Sequence, residues 1–182
     1  VAYNKANYHA YFKDRVSELN SINHAIWGFV GASALLEYVT QLVNSGNSDA
    51  RLYKAFFSLR YLNPKYNVFT YASGKQDLPT QMYHVFRCGL LHGFTLVPDS
   101  KGISKGARKG SIVLSALKDD HTLAVSDNCK LYTDYGFDAC QLVLEPFVAD
   151  IGIAIDKIFA DSSLDTSIED SSKIHPPFNF YA

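Results

Sequence analysis

The sequence predicts a mainly α-helical bundle with a small β-hairpin insertion, and three observations lead there. Apolar residues recur at threes and fours along most of the chain, clusters of asparagine, glycine and proline punctuate them, and two-residue alternation is confined to the region of residues 111–133. The 182 residues are 47% hydrophobic and 14% aromatic, enough for one well-buried core and short for two. The expected organisation is one helical domain over residues 1–161, with the hairpin insertion at about 111–133, followed by a C-terminal tail over 162–182.

A first helix is expected over residues 5–19, where Tyr8, Tyr11, Phe12, Val16 and Leu19 fall at helical intervals before Asn20-Ser21 interrupts them. From Ile22 to Val43 the apolar positions continue at the same spacing, and Gly28 and Gly31 within that run predict a close approach to a neighbour. A loop at residues 44–49 ends in good N-cap residues. Leu52, Phe56, Leu59 and Leu62 then make a short third helix that Asn63-Pro64 stops.

Residues 65–76 show no dependable period. Asp77-Leu78-Pro79 opens a fourth helix as an N-cap followed by a first-turn proline, and Gly93 ends it. Ile112, Leu114 and Ala116, then Leu123 and Val125, alternate around Asp119-Asp120 as a hairpin, with residues 130–133 as a third strand. The stripe from Phe137 to Phe159 predicts a long last helix kinked at Pro146. Residues 161–173 are polar and serine-rich and read as a mobile linker, whereas the aromatic residues of 174–181 are expected to dock on the domain body or a second chain.

A formal charge of −1 provides no global attraction to nucleic acid, so a polyanion would need a local basic patch. The three cysteines, Cys88, Cys129 and Cys140, are odd in number and widely spaced, which fits a reducing cytoplasm better than a disulfide framework. No stretch approaches eighteen consecutive apolar residues, and the first thirty positions lack the pattern of a signal peptide. Neither secretion nor membrane association is expected.

The segment that carries chemistry runs from Leu78 to Phe94. Arg87 and His92 lie near the end of its helix, five positions apart and so roughly 140° around the axis. They converge only if the arginine wraps toward a common cleft or if two copies of the helix face each other. An arginine, four intervening residues and a histidine in a late helix of a helical chain resemble the motif of the HEPN superfamily (higher eukaryotes and prokaryotes nucleotide-binding). The motif match covers residues 87–92, and the fold-level resemblance extends across most of the chain.

That resemblance implies a metal-independent endoribonuclease with no cofactor, its site assembled at a homodimer interface from both copies of the motif. It also implies a setting in defence or a toxin–antitoxin system, with RNA as substrate and an antitoxin or other protein as partner. The residue types suit the chemistry. An imidazole with a reference pKa near ~6.5 exchanges protons with a ribose 2′-hydroxyl or a leaving 5′-oxygen, the role expected of His92. A guanidinium grips phosphate oxygens and their developing charge, the role expected of Arg87. The family commonly has a polar residue, often asparagine, directly after the arginine, where this chain has Cys88. A thiol one turn before His92 orients an imidazole poorly compared with an amide.

The alternative from another class is a non-catalytic module that binds a nucleotide or a protein. A buried arginine paired with a carboxylate, and a histidine bonded to a backbone carbonyl, would give the same letters. His84, Cys88 and His92 also share one helical face at i, i+4 and i+8, where Cys88 and His84 are expected to help orient the site. One straight helix cannot wrap three ligands around a zinc ion without strain, so no metal is expected. Lys101, Lys105, Arg108 and Lys109, separated by glycines, make the only concentrated basic patch and are the expected RNA-binding residues. Glu37 and Glu145 read as isolated carboxylates in helical stripes, and Cys140 as packing.

Overall fold

The first helix is started by Asn4, whose side chain accepts the backbone N–H of Asn7 at 3.0 Å and satisfies a donor that the first turn leaves unpaired. This helix, α1 (Lys5–Ser21), buries Tyr8, Phe12 and Leu19. The computed structural model describes residues 3–72, 77–93, 112–133 and 138–176. Next come α2 (Ala25–Val43), α3 (Ala50–Phe56), whose N-cap is Asp49, and the single turn α4 (Lys65–Val68) inside the stretch where no period was legible.

The helix that Asp77 caps and Pro79 opens begins as α5 (Leu78–Gln81), widens into a π-helical stretch over Met82–Arg87 and ends as α6 (Cys88–Gly93). A short sheet follows, built from β1 (Ile112–Ser115), β2 (Lys130–Tyr132) and β3 (Ala139–Val143). Helices α7 (Leu144–Ala160) and α8 (Asp165–Ile174) complete the described chain. The chain is mainly helical, as expected.

Helix α2 is the centre of the bundle and packs against α1, α6, α7 and α8. Its glycines permit that approach. A Cβ on Gly28 would meet Leu144 Cδ2 at 2.5 Å, and one on Gly31 would meet Leu19 Cδ2 at 2.3 Å. Both fulfil the close packing that the glycine positions predicted. By length and composition α2 is apolar enough to cross a membrane, but a core helix has the same composition, and Phe29, Ala32, Leu36, Val39 and Leu42 are fully buried here. An aromatic cluster ties α2 to its neighbours: Phe29, Phe86 and Phe147 lie with centroids 5.6–6.4 Å apart, and Tyr66 stands edge-on to Phe147 at 5.7 Å.

Three expectations need correction. The insertion is not a hairpin: Val125 sits in a 3-10 turn, and β1 pairs in parallel with β3, Ile112 opposite Cys140 and Ser115 opposite Val143. Strand β2 pairs antiparallel with the other edge of β3, Lys130 opposite Gln141, giving the order β1-β3-β2. The third strand expected at residues 130–133 is thus present. Second, residues 139–143 are strand rather than helix. This central strand buries Ala139, Cys140, Leu142 and Val143, and a short run buried on both faces has the same apolar signature as a buried helix.

Pro146 consequently falls in the first turn of α7, where a missing N–H costs no intrahelical bond, and it has no interior hydrogen bond to break there. Third, the serine-rich segment is no linker. It forms α8, which buries Ile168 and Ser171; Ser167 Oγ donates to Leu42 O at 2.8 Å and accepts from Ser45 N at 2.8 Å. The docking expected of the aromatic end concerns residues mostly outside those described.

Burial of phenols makes an alkaline limit to this fold. Burial pushes Tyr8 up to about 12 and raises Tyr53, Tyr66 and Tyr71 well above the ordinary phenol value, Tyr66 also through the neighbouring Asp150 charge. Their folded values lie above the unfolded value near ~10, so their contribution is complete below that pH and is lost as pH rises through the folded values. Phenolate absorbance of these tyrosines should therefore appear together with loss of the helical circular dichroism signal. Titration of all twelve tyrosines near pH ~10 with the helices retained would contradict their burial.

Candidate functional site

The site begins with an irregularity in the helix. In the π-helical stretch the N–H of Cys88 reaches back to Tyr83 O, one residue further than an α-helix allows. Such bulges insert a residue into the turn, are intrinsically less favourable than α-helix and occur often at functional positions. Met82, Val85 and Phe86 of this stretch are fully buried, which holds Arg87 beside α2.

Arg87 there forms a two-pronged ion pair with Glu37. Its Nε donates to Oε2 and its Nη2 to Oε1, both at 2.7 Å, with the side chains only 20% and 16% exposed. Nη1 lies 3.7 Å from Cys88 Sγ, and the guanidinium carbon stands 5.5 Å from the Tyr83 ring centroid. The hydrogen bonds that Arg87 donates to Glu37 dominate the upward shift of the arginine pKa, so the cation is permanent. Tyr53 packs its ring 5.6 Å from Tyr83, and burial, then the charge of Glu37, raises its phenol well above the ordinary value. The buried Tyr53 hydroxyl has no hydrogen-bond partner among the described residues, and neither has the Gln81 amide.

Of the residues expected at the site, Arg87 and Cys88 are therefore in contact. His84 is half-buried, its ring edge-on to Tyr83 at 5.0 Å. The backbone of His92 lies in α6, and its side chain is outside the described residues. Lys101, Lys105, Arg108 and Lys109 also lie outside them. Among the described residues no group of three His, Cys, Asp or Glu side chains is placed to hold a metal.

Met82, Phe86 and Leu90 of this helix are covered by the chain's own core at 0% exposure. They supply no reason for a dimer. A cavity of about 190 Å³ between α1 and α2 is lined by Tyr11, Phe12, Arg15, Leu35 and Tyr38, and none of the Arg87 cluster reaches it.

Glu37 was legible but misread. It is the only charged residue in α2, and a lone carboxylate within an apolar helix calls for a cation from elsewhere in the fold. Glu145 was likewise not isolated, since its carboxylate accepts Leu117 N at 2.8 Å and Lys118 N at 3.3 Å and so pins the turn after β1. No family model matches this chain, and neither a curated protein nor a solved structure matches it.

Proposed function

We propose that the Arg87–His92 helix end is the catalytic end of a metal-independent endoribonuclease of HEPN type, two copies of the chain contributing to it across a homodimer interface. The observation that carries the reading is Arg87 itself. Glu37 grips the Nε–Nη2 edge and sets the plane of a permanent cation, as a phosphate-binding arginine needs if orientation is to be established before substrate arrives. Arg87 would hold the scissile phosphate, and His92 would take the proton of the 2′-hydroxyl or give one to the leaving 5′-oxygen.

The test is direct. Purified protein should cleave RNA in the presence of a strong chelator and leave ends with 2′,3′-cyclic phosphate, and substrates with 2′-deoxyribose at the cut site should resist. Replacing Lys101, Lys105, Arg108 and Lys109 should flatten the dependence of RNA affinity on salt, because each phosphate contact releases counterions; an unchanged slope removes these residues from the interface.

One specific observation favours a second reading, a non-catalytic module that binds a nucleotide or a protein. The same Glu37 contact occupies two of the guanidinium's nitrogens, and Cys88 stands where an orienting amide is common in the family. RNA or nucleotide binding that Arg87→Ala abolishes, without any cleavage at high protein concentration, would establish the binder in place of the nuclease.

A further inference from the structure

We infer that Cys129 and Cys140 are a redox-responsive thiol pair: Cys129 exchanges with a low-molecular-weight disulfide of the glutathione type, and Cys140 resolves the product into a Cys129–Cys140 bridge. Their Sγ atoms lie 3.9 Å apart. The sheet brings them together. Cys140 lies on β3 opposite Leu131, and Cys129 immediately precedes β2. The Cys129 N–H donates to Gln141 O at 2.8 Å, and its φ of 67° turns the chain in the left-handed region just before β2 begins.

The two thiols differ in access, and that sets the order of events. Cys129 is half-buried, with its Sγ 3.5 Å from Lys65 O, while Cys140 is fully buried on the central strand. Full burial keeps a soluble reagent away from Cys140, whose thiol is pushed well up by that burial and then by the contact with Cys129, so it reacts only with a sulfur already held against it. The Cys129 thiolate attacks one sulfur of the small disulfide, forming a mixed disulfide and releasing one small thiolate, which takes up the proton that Cys129 lost. Cys140 then loses its proton and attacks Cys129 Sγ, and a second small thiol leaves with that proton. Two protein thiols are thereby oxidised and one small disulfide is reduced to two thiols. Closing the pair from 3.9 Å to a bond of about 2 Å joins sulfur atoms that are already in contact.

The full chain should be equilibrated in mixtures of reduced and oxidised glutathione and read by intact mass and peptide mapping. Loss of two hydrogens, with the peptides of Cys129 and Cys140 joined and released again by a reductant, is the expected result. In Cys140→Ala the resolving thiol is absent, so a glutathione adduct should persist on Cys129. In Cys129→Ser, Cys140 should stay unmodified. Either an unmodified Cys129 in the most oxidising mixture, or a bridge mapping to Cys88, would overturn the assignment, and both are read on the unaltered chain without reference to how the variants fold.

Discussion

His92→Ala is expected to reduce RNA cleavage by about a hundred- to ten-thousand-fold, the range general acid–base groups contribute, while leaving the circular dichroism spectrum and melting of the protein unchanged. Arg87→Lys should also be severely impaired, because an ammonium reproduces neither the two-pronged contact with Glu37 nor a planar grip on phosphate. Glu37→Gln separates a catalytic role for the ion pair from a purely structural one. If Glu37 orients a catalytic arginine, cleavage falls while RNA affinity changes little. If the pair only stabilises the fold, the melting temperature falls and no cleavage exists to lose. Full activity in His92→Ala would end the proposed mechanism. Chelator-sensitive cleavage would revive a metal site on His84, Cys88 and His92.

The second large effect is on stability and lies away from this helix. Asp150, on α7 and 9% exposed, accepts Tyr66 Oη at 2.7 Å and Asn63 Nδ2 at 3.2 Å and pairs with Lys65 Nζ at 2.7 Å. Asn128 extends the network by donating to Tyr66 Oη at 2.8 Å and accepting Val143 N at 3.1 Å. One carboxylate thus joins α4, α7 and the turn before β2, with every member partnered. Asp150→Ala should destabilise the protein by about 3 kcal/mol, because it strips the partner from a buried phenol and a half-buried cation at once. Asp150→Asn keeps the shape and one acceptor and should cost less. Chemical denaturation measures both, and a loss of only a few tenths of a kcal/mol in Asp150→Ala would show that water satisfies the orphaned groups.

How much of this was legible depended on the distance over which each decision is made. Asp49 and Asp77 as caps, Pro79 in the first turn, Gly28 and Gly31 as points of close approach and the helical run of α2 are local consequences of the chain's own chemistry, and all could be read from neighbouring residues. The motif Arg87-Cys88-Gly89-Leu90-Leu91-His92 was visible as letters, but its partner lay fifty positions earlier in α2.

Where the reading of elements failed, a partner far along the chain had decided. Residues 139–143 carry a pattern that serves helix or buried strand equally well, and β1 and β2 on either side settle it as strand. The serine-rich segment 165–174 has too little apolar surface to fold alone, and the backbone of Leu42 and Ser45 gives the Ser167 hydroxyl its partners. The sequence by itself determined where α1, α3 and α5 start, which faces of those helices are apolar and which side chains could do chemistry. Only the tertiary structure decided that Arg87 meets Glu37, that Cys129 meets Cys140 and that Asp150 gathers three elements, because such pairings depend on packing that no local pattern encodes.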